Sequence, residues 1–597
     1  MTPAEQYAAR LAVREARFAV LSRREERIAT ARLLLGLLIA AMVVARLFVH
    51  ALTLWWAAPP LLAFVGLVIW HASVRRTRAR AARAMDFYRR GLDRIKDRWV
   101  GAGHTGERFL KTHHVYAADL DLFGRGGLFE LLCAVRTRMG EETLAQWLLA
   151  PASTPEVRER QVCLGDLRER IDLREDLDAA GDPGLGVQPD QFVAWAQAPN
   201  ELREPWIRWV AFILPALMIA TAAVWAVHAV RWPFVVVVLA EIAVLYLLDK
   251  RLDAVVNAAE RGFDNLRLLS ALLVRIERER FDTPELLALQ RQLASQGQPA
   301  SAVIARLGTI TEFAGQRDNL LVRLFLAVPL LYSIHVALAA QSWRTRHGAA
   351  VRPWLAATGR LEALSSLAMY AYEHPQDPFP ELGEGSASFA ARELGHPLLP
   401  AAACVRNDVS IGGPQRALLV SGSNMSGKST LLRAVGVNTV LAMAGAPVRA
   451  AALRLTPLQV GASIRINDSL GEGHSRFYAE ITRLRELYEL SAGATSLLFL
   501  LDEVLQGTNS KDRRIGAEGI LHAFIERGAI GLVSTHDLAL TEITGLQADA
   551  LRNVHFQDTL ERGRMSFDFK LRDGIVTKSN GVELMRSIGL PIPSRGH

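Results

Sequence analysis

The chain has 597 residues, 50% hydrophobic and 22% charged, with a mean hydropathy of +0.15. That length fits roughly three to five domains, and the positive hydropathy beside an ordinary charged fraction places long apolar runs among normal globular sequence, excluding disorder, collagen and low-complexity fibres. Cys133, Cys163 and Cys404 stand far apart without metal-ligand spacing, which excludes a disulfide or zinc framework and suits a reducing compartment; the net charge of +8, with much of the excess flanking apolar segments, does not by itself argue for DNA.

Residues 1–30 are charged, lack a cleavable signal pattern and read as a cytoplasmic helix. Leu33–Val49 is apolar apart from Arg46, and Leu54–Trp70 is apolar throughout, with Pro59 and Pro60 inside it. Each run is about 17 residues, the low end for crossing a ~30 Å bilayer core. Arg23, Arg24, Arg27 and Arg32 precede the pair and Arg75, Arg76, Arg78, Arg80 and Arg83 follow it. The positive-inside rule makes this a hairpin, 31–71, with both flanks cytoplasmic. A mainly helical region, 72–204, leads to a second hairpin, 205–250, built from Trp209–Val227 and Trp232–Leu248. Glu241 lies inside its second arm, where a bare acid is costly, and the expectation is that it pairs within the helix cluster, with Arg46 as partner. Residues 251–385 carry helix-period sequence, including another apolar run, Leu324–Ala340, broken by Pro329 and His335.

The segment 386–597 reads as an α/β domain with a mostly parallel sheet. Ala417–Val420 is a buried-strand pattern running into Gly422, Ser423, Asn424, Met425, Ser426, Gly427, Lys428, Ser429 and Thr430, which fits GxxxxGK[ST], and a helix pattern follows. That strand, loop and helix order is the context a P-loop requires. Loop amides and the helix N-terminus hold phosphates, Lys428 reaches the β and γ oxygens, and Ser429 ligates Mg²⁺. Leu497–Leu501 is an apolar strand ending in Asp502, a Mg²⁺ carboxylate, and Glu503, which activates the attacking water. Ile530–Thr535 is a further strand, and His536 at its end is placed to sense the γ-phosphate. ATP is cytosolic, so an even number of spans is required: two hairpins, with 324–340 as a buried helix.

Read together, these residues resemble the ATPase domain of the MutS DNA mismatch-repair family. The loop 422–430 resembles GPNMGGKST, with Asn424 and Met425 matching. Residues 502–510 look like the DE…GTST segment, Ser534–His536 like the ATH turn, and Glu472–Phe477 like the SGRSTF signature. Asn553–His555 and Lys578–Gly581 match late family motifs. A fainter likeness upstream, at Thr137–Gly140, Leu144–Trp147, Pro151, Arg160 and Gln161, suggests the start of the family's core, with 251–370 as its lever helices.

The resemblance implies a dimer through the ATPase domain, with Ser475 of one copy reaching the nucleotide of the other. It also implies ATP and Mg²⁺ as cofactors and DNA as a partner. The aromatic that packs on adenine in the family is here Cys404, followed by Val405, so base stacking is expected to rest on His555. Where the family carries its mismatch-reading domain, this chain has an apolar hairpin. Phe379-Pro380-Glu381 fits the wedge tripeptide but lies in a Pro-rich linker, and reads as chance. The whole looks like a membrane-anchored branch of the family in a bacterial-type inner membrane, with four helices in the bilayer. The rival is an ABC-type transporter or a membrane-protein-remodelling ATPase without a DNA role. Against a transporter, the signature segment reads Gly473-His474-Ser475-Arg476-Phe477 rather than a Leu-Ser-Gly-Gly-Gln type.

Overall fold

A computed structural model describes residues 1–49, 54–111, 113–181, 188–262, 266–315, 330–423, 425–465, 476–537, 540, 549–561 and 564–576. In chain order the helices are α1 (Pro3–Val49), α2 (Ala58–Ile95), α3 (Leu128–Leu132), α4 (Arg138–Leu149), α5 (Thr154–Arg168), α6 (Ile171–Ala179) and α7 (Pro189–Gln197). There follow α8 (Pro205–His228), α9 (Trp232–Gly262), α10 (Leu266–Arg278), α11 (Pro284–Gln292), α12 (Ala300–Gly315), α13 (Tyr332–Glu373), α14 (Lys428–Ala444), α15 (Arg476–Leu490) and α16 (Ser510–Glu526). The chain divides into two compact units, one of residues 1–89, 135–142 and 170–363, the other of 90–134, 143–169 and 364–597.

Among its described residues the first unit is helical apart from one short hairpin, β1 (Ala294–Ser295) with β2 (Gln298–Pro299). Helices α1, α2, α8 and α9 are long and apolar enough to cross a membrane, and little of their apolar surface is buried by the protein. Pro59 and Pro60 fall in the first turn of α2, where a missing N–H leaves no helical bond unmade. Pro215, inside α8, has no N–H for the carbonyl of Ala211 four residues back. His335 Nε2 bonds that carbonyl at 3.0 Å.

Residues 330–340, the described part of the 324–340 run, are buried at Leu331, Ile334, Ala337 and Ala340 near the start of α13. Residues 324–329 lie outside the described residues. Glu241 is fully buried on α9, but the expected pairing is not formed: neither carboxylate oxygen has a hydrogen-bond partner among the described residues, Arg46 included. In the same unit Glu362 accepts bonds from Arg136 N–H (3.0 Å) and the Thr137 hydroxyl, so the upstream Thr137–Gly140 motif is held against α13.

The second unit holds two sheets. The larger has six strands in the order β12 (Arg564–Asp573), β11 (Leu551–Glu561), β6 (Ala417–Ser421), β10 (Ile530–Thr535), β9 (Ser496–Asp502), β8 (Leu458–Ser463). All neighbours run parallel except β12, which closes the edge antiparallel to β11. Strands β6 and β10 are buried along their whole length, as continuous apolar runs must be when both faces of a sheet are covered. Beneath them Phe499 stacks on Phe524 of α16 at 5.1 Å.

The second, four-stranded sheet was not foreseen from sequence. Its order is β3 (Glu381–Leu382), β7 (Ala452–Leu455), β4 (Ser388–Leu394), β5 (Asn407–Gly412). Phe379-Pro380-Glu381 thus leads into an edge strand, and Gln161 bonds the Pro380 carbonyl at 3.0 Å.

Candidate active site

Strand register brings the motifs together. Ser534 of β10 pairs with Asp502 of β9, and Thr535 pairs with Ser421 of β6, so the three strands end at one level. Parallel strands place their C-terminal ends on one edge of the sheet, where ligands of such folds bind. Gly422 leaves β6 with φ 150° and Gly427 enters α14 with φ 103°, the latter a backbone state that favours glycine. The N-terminus of α14 therefore opens onto the loop, with its first amides free for an anion.

Lys428 is buried, and its Nζ donates to the carbonyls of Gly422 (2.9 Å) and Ser423 (2.8 Å). Burial pulls its ammonium below the usual lysine range, partly offset by the charges of Glu503 and Asp502. Ser429 Oγ lies 2.5 Å from Asp502 Oδ2, and Ser534 Oγ bonds Asp502 Oδ1. Glu503 follows with φ 54°, its N–H donating to Ser534 O at 3.1 Å. His536 Nδ1 is 3.4 Å from Glu503 Oε1. Ser423 is half-buried, Ser426 is buried, and neither hydroxyl has a partner among the described residues; Met425 is exposed, as is Thr430. Asn424, Ser475 and Lys578–Gly581 lie outside the described residues.

Beside the loop is a cavity of about 190 Å³, lined by Leu394, His396, Cys404, Val405, Thr430, Phe556 and Phe569 among others. The expectation for His555 is corrected here: it does not line this cavity, and its Nδ1 bonds the Gly574 carbonyl at 3.0 Å. The aromatic walls are instead Phe556, the next residue of β11, and Phe569 of β12. Phe569 sits where the β11–β12 register is irregular, with φ 54°, and Asn407 Nδ2 holds its carbonyl at 2.9 Å.

Several contributors carry no motif. Asn438 of α14, fully buried, donates to Gly395 O (2.9 Å) and Ala434 O (2.7 Å) and accepts from Arg449 N–H (2.7 Å). It fastens the phosphate-loop helix to the wall carrying His396. Asp119, buried far upstream, accepts from the N–H groups of Ile464 and Arg465, both at 2.7 Å. Arg160 lies over the Trp147 ring at 3.9 Å and donates to Ala444 O (3.2 Å), a cation at the C-terminal end of α14. Only the Arg160 and Trp147 pair had a sequence signal, through the upstream likeness.

Residues 418–594 match MutS domain V. Among curated proteins, the DNA mismatch repair protein MutS 2 of Halobacterium salinarum is 35% identical over 241 residues, covering 40% of this chain and 27% of that protein. The endonuclease MutS2 of Thermus thermophilus is 34% identical over 197 residues, 33% of this chain and 26% of that protein. The DNA mismatch repair protein MutS of Shouchella clausii is 35% identical over 190 residues, 31% of this chain and 21% of that protein. The chain thus matches less than a third of the length of each of these relatives. The domain V match spans the phosphate loop, Asp502, Glu503 and His536, and it makes this C-terminal segment similar to the corresponding domain of MutS proteins.

Proposed function

We propose that this chain is a membrane-anchored, MutS-type ATPase that works as a dimer and couples its ATP cycle to DNA. The reading rests above all on the convergence of the 422–430 loop, Asp502, Glu503 and His536 at one edge of the sheet. Lys428, now turned onto loop carbonyls, is within reach of the oxygens of a β/γ-phosphate. The Ser429 hydroxyl and Asp502 carboxylate, 2.5 Å apart, are hard oxygen donors on one spot. That suits Mg²⁺, which takes one or two protein oxygens and fills the rest with phosphate and water. When bound, the ion neutralises charge on the transferred phosphoryl group.

Glu503 orients a water and takes its proton as the water oxygen bonds the γ-phosphorus and the bond to the β-bridging oxygen breaks, releasing inorganic phosphate. The cavity walled by Phe556 and Phe569 takes the adenine. Ser475 of a second copy completes the site, so ATP brings two protomers together. The DNA role is supported by the names of the MutS and MutS2 relatives. The membrane role is supported by four candidate spans, the first pair flanked by arginines; in this reading the ATPase faces the cytoplasmic side of a bacterial-type inner membrane.

The test is the ATPase rate of the detergent-purified protein with and without duplex, mismatched and branched DNA, beside Glu503→Ala. The expected result is stimulation by DNA, with Glu503→Ala lowering the rate by about 10²-fold or more. A robust rate indifferent to every DNA, yet lost in Glu503→Ala, would instead favour a membrane or protein substrate. A protein that stays monomeric at all ATP concentrations would refute the shared site.

A further inference from the structure

The turn that carries Glu503 is unusual in its backbone. Glu503 and Leu505 both have positive φ, 54° and 57°, on residues with side chains. Such conformations persist only where the surroundings over-determine them. Here the surroundings do so from three sides. Glu503 N–H is held by Ser534 O and by Ser534 Oγ at 3.2 Å. Leu505 N–H donates to Oε1 of the buried Glu480 on α15 at 2.5 Å. The Arg513 guanidinium of α16 gathers the carbonyls of Leu505 (3.1 Å), Gln506 (3.3 Å) and Thr508 (3.3 Å). All of these fix main chain, and none touches the Glu503 carboxylate.

Among the described residues the carboxylate meets two side chains. His536 Nδ1 stands 3.4 Å from Oε1, a long contact from a half-exposed ring. Gln506 Nε2 bonds Oε2 directly, three residues along the same turn. An ionised carboxylate only accepts, so the amide must present its NH₂ and not its oxygen. We propose that Gln506 is the positioning residue for Glu503, an amide clamp that fixes the plane of the carboxylate and leaves Oε1 to face the attacking water. This deepens the ATP-hydrolysis reading and rests on it. Among the described residues Asp502 on the same turn, Lys428 from the phosphate loop, His536 after β10, Glu480 from α15, and Arg513 from α16 with its partner Asp537 also stand around this turn. Gln506 is a neutral donor among them, so it orients Glu503 without cancelling its charge.

The discriminating variant is Gln506→Glu, which keeps the shape and replaces the donor by an acceptor, with Gln506→Ala as companion. Full-length protein in detergent is assayed for kcat and KM for ATP from pH 5 to 9. Thermal unfolding and binding of a non-hydrolysable ATP analogue report on the fold. Both variants are expected to lower kcat about tenfold, a fraction of the ~10²–10⁴ a general base contributes, with KM within about twofold. An unchanged kcat in Gln506→Glu overturns the proposal. So does a loss of analogue binding and thermal stability in step with activity, which marks a structural role. A wild-type protein without Glu503-dependent ATPase overturns the underlying reading instead, and is recognised before any Gln506 variant is made.

Discussion

His396 is 8% exposed on the wall of the cavity beside the phosphate loop, and burial pushes its imidazole down to about 4. Its Nδ1 accepts from Leu398 N–H at 3.2 Å, a bond available only to the neutral ring with its proton on Nε2. The folded state therefore binds fewer protons than the unfolded one between about 4 and 6.5. The stability this contributes is fully present above pH 6.5 and is lost as pH falls toward 4, by up to about 3 kcal/mol. Denaturant unfolding at pH 7 and pH 4.5 should show that His396→Gln removes this share of the acid sensitivity; equal sensitivity in both proteins would count against it. At this scale much of the site was legible. Lys428, Ser429, Asp502, Glu503 and His536 sit in short motifs whose spacing is the geometry, and the structure brings them together. The aromatic walls of the neighbouring cavity were not. Side chains alternate faces along a strand, so reading His555 for Phe556 is a one-residue error that changes faces. Phe569 comes from the partner strand at a register break that no local pattern announces.

Among the elements, α14 is placed by polar contacts that sequence periodicity does not reveal. Asn438 makes three hydrogen bonds while fully buried, and its truncation leaves Gly395 O and Arg449 N–H without their side-chain partner. Asn438→Ala is expected to destabilise the protein by about 2–4 kcal/mol, since each orphaned buried group costs about 1–3 kcal/mol. The midpoint of urea unfolding measures it, and a change under about 0.5 kcal/mol, typical of surface sites, would contradict the role. The Pro215–His335 contact teaches the same lesson. Each residue looks like an interruption of an apolar run, yet the imidazole satisfies the carbonyl that the proline leaves bare. Helices were legible because an apolar face repeats every 3.6 residues. The second sheet was not, because strands of two to seven residues carry too little pattern to stand out.

For the whole molecule, each of the two units is assembled from three separate stretches of chain. The proposed membrane anchoring makes a direct prediction: after alkaline carbonate extraction the full-length protein stays in the membrane pellet. Release into the supernatant would remove the anchoring from the reading while leaving the ATPase chemistry intact. Sequence alone determined what is local or compositional. It determined the phosphate loop, the strands ending in Asp502 and His536, and the long apolar helices, because each is encoded by neighbours within a few turns of chain. Only the tertiary structure decided which distant segments join the unit that holds the phosphate loop. Residues 90–134, 143–169 and 364–385 belong with it, and Asp119, Arg160 and Asn438 take their places there. Hydrogen-bond partners more than a hundred residues apart leave no periodic trace in the sequence, and appear only when backbone and side chains close around them.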